Sequence, residues 1–249
     1  MGAKSEQPPG ESLIIPSRFN GPPTSANGGY VCGSLARRIG GTVEARLYAP
    51  PPLERGMDLR WEGENLRLYD GTERVAAAWR SQLRMDIPEP PEWEAAEAAG
   101  ASRQSIAHDP DHPYRTCFVC GPDRGEEDGL RIFPGPLPGR EVWATLWTPP
   151  GFIADENGRV PIEIVWAALD CPTIAAFLAT TGKMLLSNFI ARRLDEVWVN
   201  RPYLLLCWPI RAEERKRVGG AALFDDAGDL IAASTGTWVE LQRKQAAGP

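Results

Sequence analysis

The chain has 249 residues, 43% hydrophobic and 24% charged, enough for one large domain or two units of roughly 100–120 residues. Its 27 basic and 33 acidic side chains give a net charge of −6, which argues against a general nucleic-acid binder but leaves room for a local arginine cluster that holds an anion. No apolar run of about 18 residues is present, so no membrane span is read, and no signal-peptide core is read in Met1 to Pro9.

In chain order, residues 1–11 are polar and rich in Pro and Gly, and are expected to be disordered. Leu13-Ile14-Ile15 suits a first strand, and Phe19 to Ala26 has the turn chemistry of a loop. Asn27 is placed to cap a helix, its side-chain oxygen accepting an orphan amide, with Gly28 and Gly29 in the first turn and Tyr30, Val31, Leu35 and Ala36 following. Strands are expected at 42–49, 56–69 and 73–85. Pro88, Pro90 and Pro91 then open a junction, residues 87–114, with a short helix over 92–101 and both histidines, His108 and His112. Beyond it come Cys117-Phe118-Val119-Cys120-Gly121, strands at 129–134 and 140–148, and a long apolar helical run from Pro161 to Thr181. Four more strands are expected at about 184–195, 203–213, 216–225 and 229–241. Trp79, Trp143, Trp147, Trp198, Trp208 and Trp238 fall on these predicted strands and read as core.

The halves repeat each other. Each has a helical run, a strand, a second strand reaching a tryptophan, a small turn and an apolar strand. Leu47 to Trp61 and Leu194 to Trp208 have the same spacing. Tyr69-Asp70-Gly71-Thr72 precedes Val75 to Trp79, as Asp226-Ala227-Gly228-Asp229 precedes Leu230 to Ala233. Such a repeat implies two copies of one unit packed together, with an active site at their seam. The expected units are 12–86 and 115–243. Helix followed by antiparallel strands, twice over, is an α+β pattern.

These residues resemble the hotdog fold of acyl-CoA thioesterases and dehydratases. Cys117-Phe118-Val119-Cys120-Gly121 with Gly129-Leu130 is similar to the opening of small thioesterase-like hotdog domains. Asn27-Gly28-Gly29-Tyr30-Val31 is similar to the start of the central helix, where many relatives carry His-Gly-Gly. Trp166-Ala167-Ala168-Leu169-Asp170 is similar to the acid-bearing part of that helix. The resemblance covers roughly residues 13–85 and 115–241 and implies a double hotdog, two fused units each wrapping a central helix.

In hotdog thioesterases of this type the first glycine and the acid lie eight residues apart on one helix, and each site pairs the glycine of one copy with the acid of the other. Eight residues after Gly28 is Ala36, and eight before Asp170 is Ile162, so the first helix carries glycines without an acid and the second an acid without glycines. The resemblance therefore implies one live site, Asn27, Gly28 and Gly29 facing Asp170, and one dead site. Free amides at a helix start can bind a developing oxyanion. Glycine lets the thioester carbonyl approach, and a carboxylate can act as base or nucleophile.

Each element also has a plainer reading. Asn27-Gly28-Gly29 is equally a loop and cap, and Asp170, two residues before a helix-breaking Pro172, is equally a structural acid. An acid in so apolar a run is costly to bury without a partner or a purpose, and burial raises its pKa. Glu163 is a reserve acid. Tyr30, Trp166, Thr173, Cys120 and Gly121 are candidate substrate contacts, with Thr173 able to orient a water. Arg37, Arg38, Arg192, Arg193 and Arg215-Lys216-Arg217 are candidates for CoA phosphates.

No metal site is expected, because Cys117 and Cys120 form a lone C-x-x-C without a second ligand pair, and no cofactor is implied. Five cysteines without framework spacing suggest a reduced, cytoplasmic protein. Neither predicted helix carries a histidine, which speaks against dehydratase chemistry. The expected function is acyl-CoA thioesterase, acting on an acyl-CoA or acyl-carrier-protein thioester, as a monomer or homodimer. A non-catalytic acyl-CoA or small-lipid binding protein of the same fold is the alternative, and a partner-binding module is a third.

Overall fold

The computed structural model describes residues 11–178 and 181–241. The segment expected to be disordered therefore lies, but for Glu11, outside the described residues. Eleven strands form one sheet: β1 (Ser12–Leu13), β2 (Val43–Leu47), β3 (Met57–Glu62), β4 (Asn65–Asp70), β5 (Glu73–Arg80), β6 (Gly135–Pro136), β7 (Trp143–Trp147), β8 (Met184–Arg193), β9 (Tyr203–Glu213), β10 (Lys216–Phe224) and β11 (Leu230–Glu240). Four α-helices accompany it among the described residues: α1 (Gly28–Ile39), α2 (Trp93–Ala101), α3 (Ile162–Asp170) and α4 (Pro172–Ala175).

The order across the sheet is β1-β3-β4-β5-β2-β8-β11-β10-β9-β7-β6. In the first half a short strand, a helix and four strands give the order 1-3-4-5-2; in the second, β7, the helices and β8 to β11 give the matching order 7-9-10-11-8. The halves join where β2 runs antiparallel to β8, with Val43 opposite Ala191 and Ala45 opposite Phe189. On that seam Asn188 Nδ2 donates to Glu44 Oε1 at 2.9 Å.

Alternation along the strands explains why β9 is buried on both faces. Tyr203, Leu205 and Cys207 point to the core shared with α1 and α3, whereas Leu204, Leu206 and Trp208 meet Ala96 and Ala99 of α2. The segment 87–114 thus supplies a helix that covers the second face of the sheet.

Several predicted elements differ in detail. The strand expected over 56–69 is a hairpin, β3 and β4, because Gly63 at φ 61° turns the chain between Glu62 and Asn65. Residues 129–134 do not join the sheet; Leu130 and Ile132 donate their amides to Phe118 O (2.8 Å) and Val119 O (3.0 Å) and hold that segment against the C-x-x-C loop. Trp198 lies outside the named strands, in an isolated bridge with Arg159. The long helix is interrupted at Cys171, since Pro172 has no amide to continue the ladder, although Cys171 keeps right-handed helical dihedrals. Part of that predicted run, 179–180, lies outside the described residues.

Candidate active site

The site begins with a close antiparallel crossing of α1 and α3. A Cβ on Gly29 would lie 2.4 Å from Asp170 Cβ and 2.7 Å from Trp166 O, and one on Gly33 would lie 2.6 Å from Glu163 Cα. Only hydrogen fits at either position, so the Gly29-x-x-x-Gly33 face brings the two helix backbones together. Arg37 Nη1 meets Glu163 Oε1 at 3.2 Å at the other end of the crossing.

Local chemistry fixes the start of α1. Asn27 Oδ1 accepts the Tyr30 amide at 2.9 Å, which leaves its Nδ2 to donate to Asp170 Oδ2 at 3.0 Å. The Gly29 amide donates to the same Oδ2 at 2.8 Å. The carboxylate of α3 thus sits on the amide end of α1, where the helix dipole favours negative charge. Asp170 is 1% exposed, and its Oδ1 is buried with no hydrogen-bond partner among the described residues. Burial pushes its carboxyl up to about 7, against the Gly29 amide; the Cys117 sulfur adds to the rise and the Asn27 amide opposes it. A carboxyl that titrates near neutrality suits a general base.

Asp170 lines a cavity of about 280 Å³ together with Asn27, Gly28, His112, Cys117, Cys120 and Cys171. The remaining wall is largely apolar, with Leu47, Ile174, Leu178, Met184 and Leu186 among its residues. The Gly28 amide has no partner among the described residues and is free to receive an anionic oxygen. Arg215 also reaches the cavity wall.

Asn27, Gly28, Gly29 and Asp170 are brought together, and Cys120 lines the cavity. The other predicted contacts do not line it. Tyr30 stacks on Phe19, ring centroids 4.1 Å apart, and Trp166 is core, edge-on to Phe189 at 5.5 Å. Thr173 is committed on both sides of its hydroxyl: it donates to Asp170 O and accepts from Trp238 Nε1, each at 2.7 Å, so it braces the end of α3 rather than orienting a water. Gly121 turns the chain, its amide bonded to Cys117 O at 2.9 Å. Glu163 is held by Arg37 away from the cavity. Of the arginines weighed for phosphate contacts, Arg215 alone lines the cavity; Arg193 is paired with Glu196 at 2.8 Å.

Two residue positions escaped the sequence reading. His112, assigned to a linker, is 5% exposed and lines the cavity; its Nδ1 accepts the Tyr114 amide at 3.3 Å, and its Nε2 is buried without a partner among the described residues. Burial holds its pKa below the usual value. Cys171 joins Cys117 and Cys120, so that all three sulfurs lie within 4.8 Å of one another. No local pattern links either residue to the site, since both arrive through tertiary contacts.

No protein-family model matches the chain, and no curated protein matches it by sequence. Solved structures do. It is similar to a tesB protein of Mycobacterium avium subsp. paratuberculosis, at TM-score 0.56 and 12% identity, over 93% of this chain and 92% of that one. It is similar to an acyl-CoA thioesterase II, TesB2, of Mycobacterium marinum, at TM-score 0.56 and 10% identity over 94% of each. A third likeness is a protein of Alicyclobacillus acidocaldarius described as having a hot dog fold, at TM-score 0.53 and 11% identity over 93% of each. At such identities the likeness speaks to architecture alone, and the architecture of this chain is the hotdog fold.

Proposed function

We propose that this chain is a thioester hydrolase built from two fused hotdog units, with one active site at their seam. The matching strand orders of the two halves, joined at β2 and β8, support the fused-unit reading. One observation carries the activity: a buried carboxylate from α3, half held by the amide end of α1 and half unpartnered, at the wall of a largely apolar cavity.

In this reading the acyl chain occupies the apolar cavity and the thioester carbonyl approaches Gly28, whose amide stabilises the developing oxyanion. Asp170 activates a water through Oδ1, or attacks the carbonyl directly, while Asn27 and the Gly29 amide fix its Oδ2. Arg215 is the cation placed to meet a phosphate of the carrier, CoA or an acyl-carrier protein. The names of the similar structures, thioesterase II among them, and five free buried cysteines fit this reading of a hydrolase in a reducing compartment. Fusion of the two units makes a monomer sufficient for the site, and a homodimer is compatible with it.

The test is release of free thiol from short, medium, long and aromatic acyl-CoAs and from an acyl-carrier-protein thioester. Turnover of at least one acyl-CoA is expected. Binding of CoA esters without any hydrolysis would remove the enzymatic reading and leave a ligand-binding protein.

A further inference from the structure

Cys117, Cys120 and Cys171 come from two places far apart in the chain, the C-x-x-C loop and the junction of α3 with α4. Their ligand atoms nevertheless lie within 4.8 Å of one another, all buried. The Cys117 and Cys171 sulfurs are 3.7 Å apart. A tetrahedral zinc with zinc–sulfur bonds of 2.3 Å sets its sulfurs about 3.8 Å apart, the same edge length. The loop has the shape that such sites use. Gly121 closes it with an amide bond to Cys117 O at 2.9 Å. The three cysteines line the cavity, which gives an ion a way in.

A second observation points to an exogenous ligand at the same place. Two buried polar atoms in this cavity wall have no partner among the described residues: Asp170 Oδ1, an acceptor, and His112 Nε2, which carries the proton when Nδ1 accepts the Tyr114 amide. A donor and an acceptor left open beside three sulfurs suit a water held at the fourth position of a metal ion. Asn27 Nδ2, 3.8 Å from Cys171 Sγ, would brace that ligand as it braces Asp170.

We propose that Cys117, Cys120 and Cys171 bind one divalent ion of the zinc class, with the fourth position open to the cavity. Soft sulfur donors in this number select zinc and cobalt over magnesium or calcium. Each thiol that ligates releases its proton to solvent, so uptake lowers the pH of an unbuffered solution. This inference does not depend on the thioesterase reading, because uptake is measured without substrate.

The experiment is an anaerobic titration of the full-length, reduced, chelator-treated protein with cobalt(II), following the sulfur-to-cobalt charge-transfer band and the visible bands of a tetrahedral ion. One equivalent is expected to bind, and zinc to bleach the spectrum. Cys171→Ser and Cys120→Ser should each lose the charge-transfer intensity of their sulfur and weaken binding at least about tenfold. Cys207→Ser, which alters a buried thiol outside the cluster, should leave the titration unchanged. Circular dichroism checks that each variant is folded, and two ligand variants guard against one failing. No charge-transfer band in a protein with five free thiols would overturn the proposal, as would a band that survives both ligand substitutions.

Discussion

Substitution of Gly29 by alanine tests the helix crossing on which the site depends. The new Cβ would sit 2.4 Å from Asp170 Cβ, 2.7 Å from Trp166 O and 3.0 Å from Ala167 Cα, none of which can swing away. Restoring carbon contacts of at least ~3.5 Å requires α1 to retreat from α3 by about 1 Å. Overpacking of this kind costs about 1–3 kcal/mol, offset by at most about 1 kcal/mol of helix propensity. The retreat also stretches the Gly29 amide bond to the Asp170 carboxylate, which adds about 1.5–3 kcal/mol. The expected net loss is about 1.5–5 kcal/mol, or roughly 5–20 °C in melting temperature. Gly28→Ala is the matched control. Its Cβ meets Leu186 Cδ2 at 2.8 Å and Leu47 Cδ1 at 3.0 Å, side-chain tips that can turn aside, and Leu186 Cβ at 3.2 Å, which needs to give by only a few tenths of an ångström, so a loss of about 1 kcal/mol is expected. Urea unfolding of both variants beside wild type decides it. Equal losses, or a neutral Gly29→Ala, would refute the close crossing.

Asp170→Asn should change how stability varies with pH. The folded carboxyl titrates at about 7 against an ordinary aspartate value of 3.8, so the folded state holds the proton more tightly. Its contribution is therefore full below about pH 4 and lost as pH rises through 7, by at most about 4 kcal/mol in all. In reduced, chelator-treated protein the variant should gain on wild type across that window by urea unfolding; a constant difference from pH 4 to pH 8 would contradict the assigned titration. Asn27→Ala removes both the helix cap and one donor to Asp170, and is expected to cost about 1 kcal/mol in the same assay and to move the acid limb of the pH–rate profile upward. Thr173→Val leaves Trp238 Nε1 buried without its acceptor and should lose about 1–3 kcal/mol of unfolding free energy.

The order of elements was readable because each rests on local chemistry: the Asn27 cap, the apolar runs of β9 to β11, and the proline-marked junction. The resemblance implied that the glycines of one helix face the acid of the other, and the Gly29 amide and the Asp170 carboxylate do meet. The hairpin at Gly63 was hidden because alternation continues through a two-residue turn. His112 and Cys171 were hidden for another reason. Nothing in a Pro-rich junction or at a helix break signals that folding places both at one cavity. Thr173 and Trp166 carried side chains suited to a ligand site, but packing against Trp238 and Phe189 claims them.

The measurement that bears most directly on Asp170 as the base or nucleophile is kcat/KM for thiol release from the best acyl-CoA substrate, wild type beside Asp170→Asn. A fall of at least about 100-fold is expected, the usual scale for loss of a general base. A variant that retains wild-type turnover within about threefold would remove Asp170 from the mechanism.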